Sequence, residues 1–252
     1  VMYRLALAEK LRAPWKRPAS SAGGRGAKPL DPAAMAAREA AREAARLEAA
    51  GPSNPLGFCV KMMLVGFAGS GKTQMAHALL GGDSWAAVDP LDGATRRVRV
   101  IKGEAQGVAL EIVDTPGLVV AASGAADNAA VVTQIRNAYR RYKPDLVVYV
   151  DRLDAAFGGA GGAGGGELPA LRMLSNALGP GFWLNTIVAL THAGAPPPMG
   201  VRGMPMPFEQ WANNRSSALQ QVIRHASGDG RLMNPMAFVE SHPGAKREGG
   251  GA

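Results

Sequence analysis

Gly66-Phe67-Ala68-Gly69-Ser70-Gly71-Lys72-Thr73 fills every fixed position of a phosphate-binding loop. The apolar run Phe58-Cys59-Val60-Lys61-Met62-Met63-Leu64-Val65 precedes it, and Gln74-Met75-Ala76-His77-Ala78-Leu79-Leu80 follows. The motif therefore sits between a predicted strand and a predicted helix, the context its chemistry requires. Its glycines let backbone N–H groups turn inward as an anion nest at a helix N-terminus. Lys72 then reaches the β- and γ-phosphates, and the Thr73 hydroxyl ligates Mg²⁺. Gly66, Ala68, Gly69, Ser70, Gly71, Lys72, Thr73 and Gln74 form the expected phosphate-contacting surface. A Gly-rich turn matched by chance is the competing reading, and the correct flanks weigh against it. The pattern predicts a nucleoside triphosphate site.

The chain has 252 residues, enough for one α/β domain with an extension. Its one cysteine, Cys59, excludes an internal disulfide and fits a reducing compartment. Cys59 falls in a predicted core strand, so a buried filler role is expected. No apolar stretch is long enough for a membrane-spanning helix, and no secretory signal opens the chain. The net charge of +8 is unevenly distributed: residues 1–50 hold ten Lys and Arg against five Asp and Glu. A basic arm of this kind can meet anionic lipid or an acidic partner, and is more often a solvated surface. Neither aromatic interleaving nor a nucleic-acid motif accompanies it, so no nucleic-acid partner is expected.

Residues 1–12 read as a short amphipathic helix and 14–32 as a flexible Pro/Ser/Gly segment. An Ala/Arg/Glu helix follows to about residue 50, capped by Asp31-Pro32. The arm is thus placed at 1–55 and the nucleotide-binding α/β domain at 56–252. The Val1 start and the Gly249-Gly250-Gly251-Ala252 end suggest a piece of a longer protein. Strands are expected at 58–65, 97–102, 108–113, 145–150, 186–191 and 236–240. Helices are expected at 72–80, 127–141, 167–178 and 208–226. A short turn joins the second and third strands, predicting one antiparallel edge, while the others need crossovers. The result is a mostly parallel doubly wound sheet with helices on both faces. The Gly/Ala run at 158–166 reads as a loop insertion without chemistry of its own.

Asp114-Thr115-Pro116-Gly117 closes the strand Val108–Val113. A carboxylate at that strand end serves Mg²⁺, and Gly117 can give a backbone N–H to a γ-phosphate. This distance beyond a phosphate loop is a strong sign of the GTPase class. Thr95 is the natural switch threonine for Mg²⁺, a weaker assignment because many polar loop residues would look alike. The Asn-Lys-x-Asp stretch that commonly reads guanine is missing: the fifth strand runs into Thr191-His192-Ala193-Gly194. His192 could lie against a purine, with Glu240 of Val239-Glu240-Ser241 as the carboxylate acceptor, or it could be structural. Leu118 stands where a water-orienting Gln would be useful, so intrinsic hydrolysis should be slow. Arg152, in Tyr149-Val150-Asp151-Arg152-Leu153-Asp154, is either a transition-state arginine or a partner for Asp151 or Asp154. In the first role it would contribute ~10³–10⁵ in rate.

Together these motifs resemble the GTPase receptors of the chloroplast outer-envelope protein translocon. Trp183-Leu184-Asn185-Thr186-Ile187-Val188-Ala189-Leu190-Thr191-His192-Ala193 is especially similar to that family. Val1–Ala8 and Arg231-Leu232-Met233-Asn234-Pro235 resemble its large preprotein-receptor class. The resemblance implies a receptor that uses GTP, GDP and Mg²⁺ at the cytosolic face of the chloroplast outer envelope. It implies recognition of precursor transit peptides and their transfer to a β-barrel channel. It also implies dimerisation through GTPase faces with a small receptor GTPase or a second copy, Arg152 lying at the partner's nucleotide. Guanine contacts carry over to His192 and Glu240; the family's Asn beside that glutamate is Ser241 here. The large class has an acidic N-terminal region, a closing helix and a C-terminal membrane domain, none of which this sequence includes. A non-hydrolysing docking module is the alternative of a different class, and a P-loop ATPase is a third.

Overall fold

The computed structural model describes residues 59–80, 95–105, 108–120, 125–155, 167–179, 181–200 and 203–241. The expectations for residues 1–58 and for the Gly/Ala run at 158–166 lie outside the described residues.

A sheet of six strands forms the middle of the domain, in the order β2-β3-β1-β4-β5-β6. Its strands are β1 (Cys59–Gly66), β2 (Arg99–Ala105), β3 (Val108–Asp114), β4 (Leu146–Arg152), β5 (Thr186–Thr191) and β6 (Met236–Phe238). Only β2 runs antiparallel, paired with β3 as a hairpin at the sheet edge. The other neighbours are parallel. Among the described residues four α-helices accompany them: α1 (Lys72–Leu79), α2 (Ala125–Tyr142), α3 (Leu168–Leu178) and α4 (Phe208–Ser227). The expected P-loop GTPase architecture is therefore present, with β6 shorter than expected.

Alternation along each strand divides the core into two layers. In β1, Met63 and Val65 join Val113, Val147, Tyr149, Val188 and Leu190 beneath α2, α3 and α4. Leu64 faces the opposite way, with Ile112, Val148, Val150 and Ala189 beneath Met75 and Ala76 of α1. Helices thus cover both faces, unevenly. Cys59 corrects the expectation of a buried cysteine: it is exposed. Only the second half of β1, from Met63 onward, is fully enclosed. No helix among the described residues is long and apolar enough to cross a membrane.

Because β1 pairs with β3 on one side and β4 on the other, the sheet has a topological switch point at β1. Gly66, Asp114, Arg152 and Thr191 each end a strand on that same edge. Parallel strands place their carboxyl ends together, so motifs far apart in sequence meet there.

The distal end of β5 is tied down by Asn234. Its amide donates to the carbonyls of Trp183 at 2.7 Å and Thr186 at 2.9 Å, while its N–H donates to Gln220 at 3.1 Å. Asn234→Ala should leave both carbonyls without that donor, at about 1–3 kcal/mol for each buried group. Urea denaturation of the variant should show the loss with an unchanged m value; wild-type stability would refute this account of Asn234.

Candidate nucleotide site

The phosphate loop is built by backbone packing on backbone. A Cβ at Gly66 would lie 2.0 Å from the Val150 carbonyl oxygen, so only glycine lets β1 end against β4. Gly71, with φ of 83°, takes the left-handed conformation that turns the chain into α1. Lys72, in the first turn of α1, folds back along the loop. Its ammonium donates to the carbonyls of Phe67 at 2.6 Å and Gly66 at 3.3 Å. Burial lowers its pKa to about 8, against the opposing pull of Asp114 and Asp151. A desolvated cation held by neutral carbonyls is a ready partner for anionic oxygen.

Asp114 is fully buried at the end of β3. Its Oδ2 accepts from Thr73 Oγ1 at 2.7 Å and from Thr95 Oγ1 at 3.4 Å, and the two hydroxyls lie 3.1 Å apart. Its Oδ1 has no hydrogen-bond partner among the described residues. Two hydroxyls and one carboxylate are hard oxygen donors, suited to Mg²⁺ that also binds phosphate and water. The described residues contain no cluster of three or more His, Cys, Asp or Glu able to hold a metal.

The segment after Asp114 runs beside the loop. Leu118 donates its N–H to Gly66 O at 3.0 Å and accepts from Ala68 N–H at 2.8 Å. A Cβ on Gly117 would come within 2.5 Å of Ala68 backbone atoms, so a side chain there would push the two segments apart. Leu118 itself is fully buried, and no polar side chain projects from that position toward a water. Asn128, from the first turns of α2, clamps Val119 by accepting from its N–H at 2.7 Å and donating to its carbonyl at 2.8 Å.

A small recess opens on the other side of the loop, lined by Gly71, Gln74, Thr191, His192, Glu240 and Ser241. The Thr191 hydroxyl reaches Ser70 O at 2.8 Å, Asp151 O at 3.0 Å and His192 Nδ1 at 2.9 Å. Since one hydroxyl carries one proton, donation to a carbonyl leaves it to accept from Nδ1–H. Nε2 of a neutral His192 is then an acceptor. Burial and the nearby Arg152 lower the His192 pKa, with Asp154 and Glu240 opposing, so the neutral ring is favoured at neutral pH. Glu240 Oε2 accepts from Gly194 N–H at 2.8 Å. Ser241 is buried, and its Oγ has no partner among the described residues.

Arg152 forms a bidentate pair with Asp154, Nε to Oδ1 at 2.8 Å and Nη2 to Oδ2 at 2.7 Å. Asp151 is paired elsewhere, with the buried Arg215 of α4. Every expected site residue therefore gathers along one sheet edge, in two groups flanking the loop. Asn128 and Arg215 were missed, because an Asn or Arg in an amphipathic helix reads as an exposed residue.

A family model described as a 50S ribosome-binding GTPase matches residues 61–160. Translocase of chloroplast 132 from Arabidopsis thaliana is 36% identical over 242 residues, covering 96% of this chain and 18% of that relative. The chain belongs to the translocase-of-chloroplast GTPase family. It spans about a fifth of that relative's length. Among solved structures, a dimerization-deficient arginine-to-alanine variant of Toc33 from Arabidopsis thaliana has a TM-score of 0.64. That pair is 21% identical, with 85% of this chain and 82% of the other covered. Toc33 in complex with Mg²⁺ and GMPPNP gives a TM-score of 0.61 at 22% identity, covering 75% and 73%. The translocase GTPase domain and Toc33 thus share this fold.

Lys72 makes stability depend on pH in a defined direction. Its folded pKa of about 8 lies below the ordinary 10.5. Below pH 8 both states are protonated and the folded state carries the full burial cost. Between 8 and 10.5 the folded state releases the proton first, so the unfolded state binds more protons and stability rises. The Lys72 contribution to that rise should be roughly 3 kcal/mol. Denaturation across this range should show it in the wild type and not in Lys72→Met. Matching pH profiles would contradict the assignment.

Proposed function

We propose that this domain binds GTP and GDP with Mg²⁺, hydrolyses GTP slowly, and works as a nucleotide-controlled receptor of the chloroplast protein-import translocase. The observation that carries the reading is the recess beside the phosphate loop, which sets a carboxylate and an imidazole where a base would follow the phosphates. Glu240 accepts from guanine N1–H and N2–H, donors that adenine does not present together. His192 lies against the purine or offers Nε2 to it, and Ser241 supplies a further hydroxyl. The loop N–H groups and Lys72 hold the phosphates. Thr73 and Thr95 would hold Mg²⁺, with Asp114 accepting from its water; the ion supplies charge neutralisation between the β- and γ-phosphates.

Hydrolysis by the isolated chain is slow because Leu118 cannot orient water. Gly117, beside Ala68, offers a backbone N–H to the γ-phosphate and releases the following segment when that phosphate leaves. Arg152 completes the chemistry across a GTPase-face dimer, with a small receptor GTPase or a second copy. Each arginine then exchanges its pairing with Asp154 for phosphate charge on the partner's nucleotide. In Toc33 an arginine-to-alanine variant is dimerization-deficient, which supports the dimer part of this reading.

By the same resemblance the domain serves the large receptor class at the cytosolic face of the outer envelope. It recognises transit peptides and passes precursors to a β-barrel channel, with membrane attachment supplied by chain outside this sequence. In the alternative reading the bound nucleotide only rigidifies a docking module. The absence of a water-orienting side chain at Leu118 is the observation favouring that alternative.

Radiolabelled GTP separates the possibilities. Turnover should vanish in Lys72→Ala and fall in Arg152→Ala, while excess ATP should not displace GTP. Glu240→Gln should weaken GTP binding roughly 10–100-fold, the worth of a charged hydrogen bond. Tight binding without turnover at any protein concentration would establish the docking module instead, and displacement by ATP would overturn guanine recognition.

A further inference from the structure

Arg152 leaves β4 between two carboxylates that do different things. Asp154 holds the guanidinium; Asp151 turns inward and holds the backbone. Asp151 Oδ1 accepts from the Arg152 N–H at 2.8 Å, and Asp151 Oδ2 accepts from Arg215 Nη2. The Nε of the same Arg215 donates to the Arg152 carbonyl at 3.2 Å, and Nη2 lies 3.3 Å from Glu167 Oε1. Arg215 is 2% exposed and Asp151 4%. One guanidinium therefore grips residue 152 from both sides, its carbonyl directly and its N–H through Asp151.

Burying an arginine against two carboxylates is a poor route to stability, since apolar replacements of similar volume are often as stable or more so. What an apolar side chain cannot do is orient a peptide. A lysine can neutralise the carboxylates but lacks the fixed fork that reaches carbonyl and carboxylate together. Tyr149, fully buried two residues before Asp151 on the same face of β4, lies close enough for Asp151, Glu167 and Arg215 to influence its ionisation, and so belongs to the same cluster.

We propose that Arg215 is a positioning residue for Arg152: by gripping both sides of that residue's backbone it sets the direction in which the Arg152 side chain leaves the sheet edge. The consequence for hydrolysis rests on the transition-state role proposed above for Arg152; the backbone grip does not.

Two measurements on the full chain test it, using Arg215→Lys because Arg215→Met would strand the buried Asp151 and the half-buried Glu167 and could fail to fold. Amide hydrogen exchange should be roughly tenfold faster or more at the Arg152 amide in Arg215→Lys, with Val65 in β1 unchanged. Unchanged exchange at Arg152, or equal acceleration at Val65, overturns the proposal. Hydrolysis is then measured at concentrations where copies associate. Arg215→Lys should lower the rate roughly tenfold or more, and adding it to Arg152→Ala should lower that variant's rate no further. A double variant slower by the product of the two single effects overturns the proposal, since Arg215 would then act independently. If the exchange result holds but Arg152→Ala hydrolyses like the wild type, Arg215 still positions the peptide and the catalytic reading of Arg152 falls.

Discussion

The end of β1 has no space for a side chain. A Cβ on Gly66 would overlap the Val150 carbonyl at 2.0 Å, and one on Gly117 would press on Ala68 at 2.5 Å. Strand ends pack here backbone to backbone, closer than any other residue type would permit. The loop consequently winds tightly around its own carbonyls, and Lys72 is enclosed there. Enclosure lowers its proton affinity, and only oxygen of greater negative charge restores it. Steric closeness in the backbone thus becomes an electrostatic preference at the site.

One hydroxyl links the two groups of residues that flank the loop. Thr191 ends β5 and touches Ser70 of the loop, Asp151 of β4 and the ring of His192. Asp151 in turn pairs with Arg215, which also reaches Arg152. The recess and Arg152 are therefore mounted on a common buried support. An apolar residue in place of Thr191 would remove the one hydroxyl proton within reach of the Ser70 and Asp151 carbonyls and leave His192 without a fixed tautomer.

Much of this was legible because its causes are local. The phosphate loop and Asp114-Thr115-Pro116-Gly117 state their chemistry within a few residues, and strand periodicity located all six strands. Glu240 and His192 could be named because each follows a strand whose carboxyl end must lie on the site edge. Burial at the outset of a strand was harder to judge, since apolar pattern continues through Cys59 while the covering helices begin to act only near Met63. Partner identity was not legible at all. Arg215 lies 64 residues from Asp151, and Asn234 lies 48 from the Thr186 carbonyl it caps. A polar residue in a helix carries no local mark of a distant buried partner, so only the fold distinguishes Arg215 and Asn128 from solvated neighbours.

The loss of Asn-Lys-x-Asp has a structural counterpart at the sheet edge. In the common arrangement the base-reading carboxylate follows β5 itself. Here that strand is followed by a histidine with φ of 58°, and the carboxylate proposed for the base, Glu240, lies beyond β6, a strand of only three residues. So short a strand positions Glu240 weakly by itself. The backbone bond from Val239 to Leu190 at 2.8 Å and the bond from Gly194 to Glu240 at 2.8 Å supply the rest. The second needs an unobstructed residue 194, because a Cβ there would lie 2.8 Å from Glu240 Oε2. On the proposed reading, base selectivity therefore depends on Gly194 as much as on the carboxylate it holds. The phosphate half of the site is fixed by rigid packing, whereas the base half rests on a few hydrogen bonds at an edge strand. Affinity would come chiefly from the first and discrimination from the second.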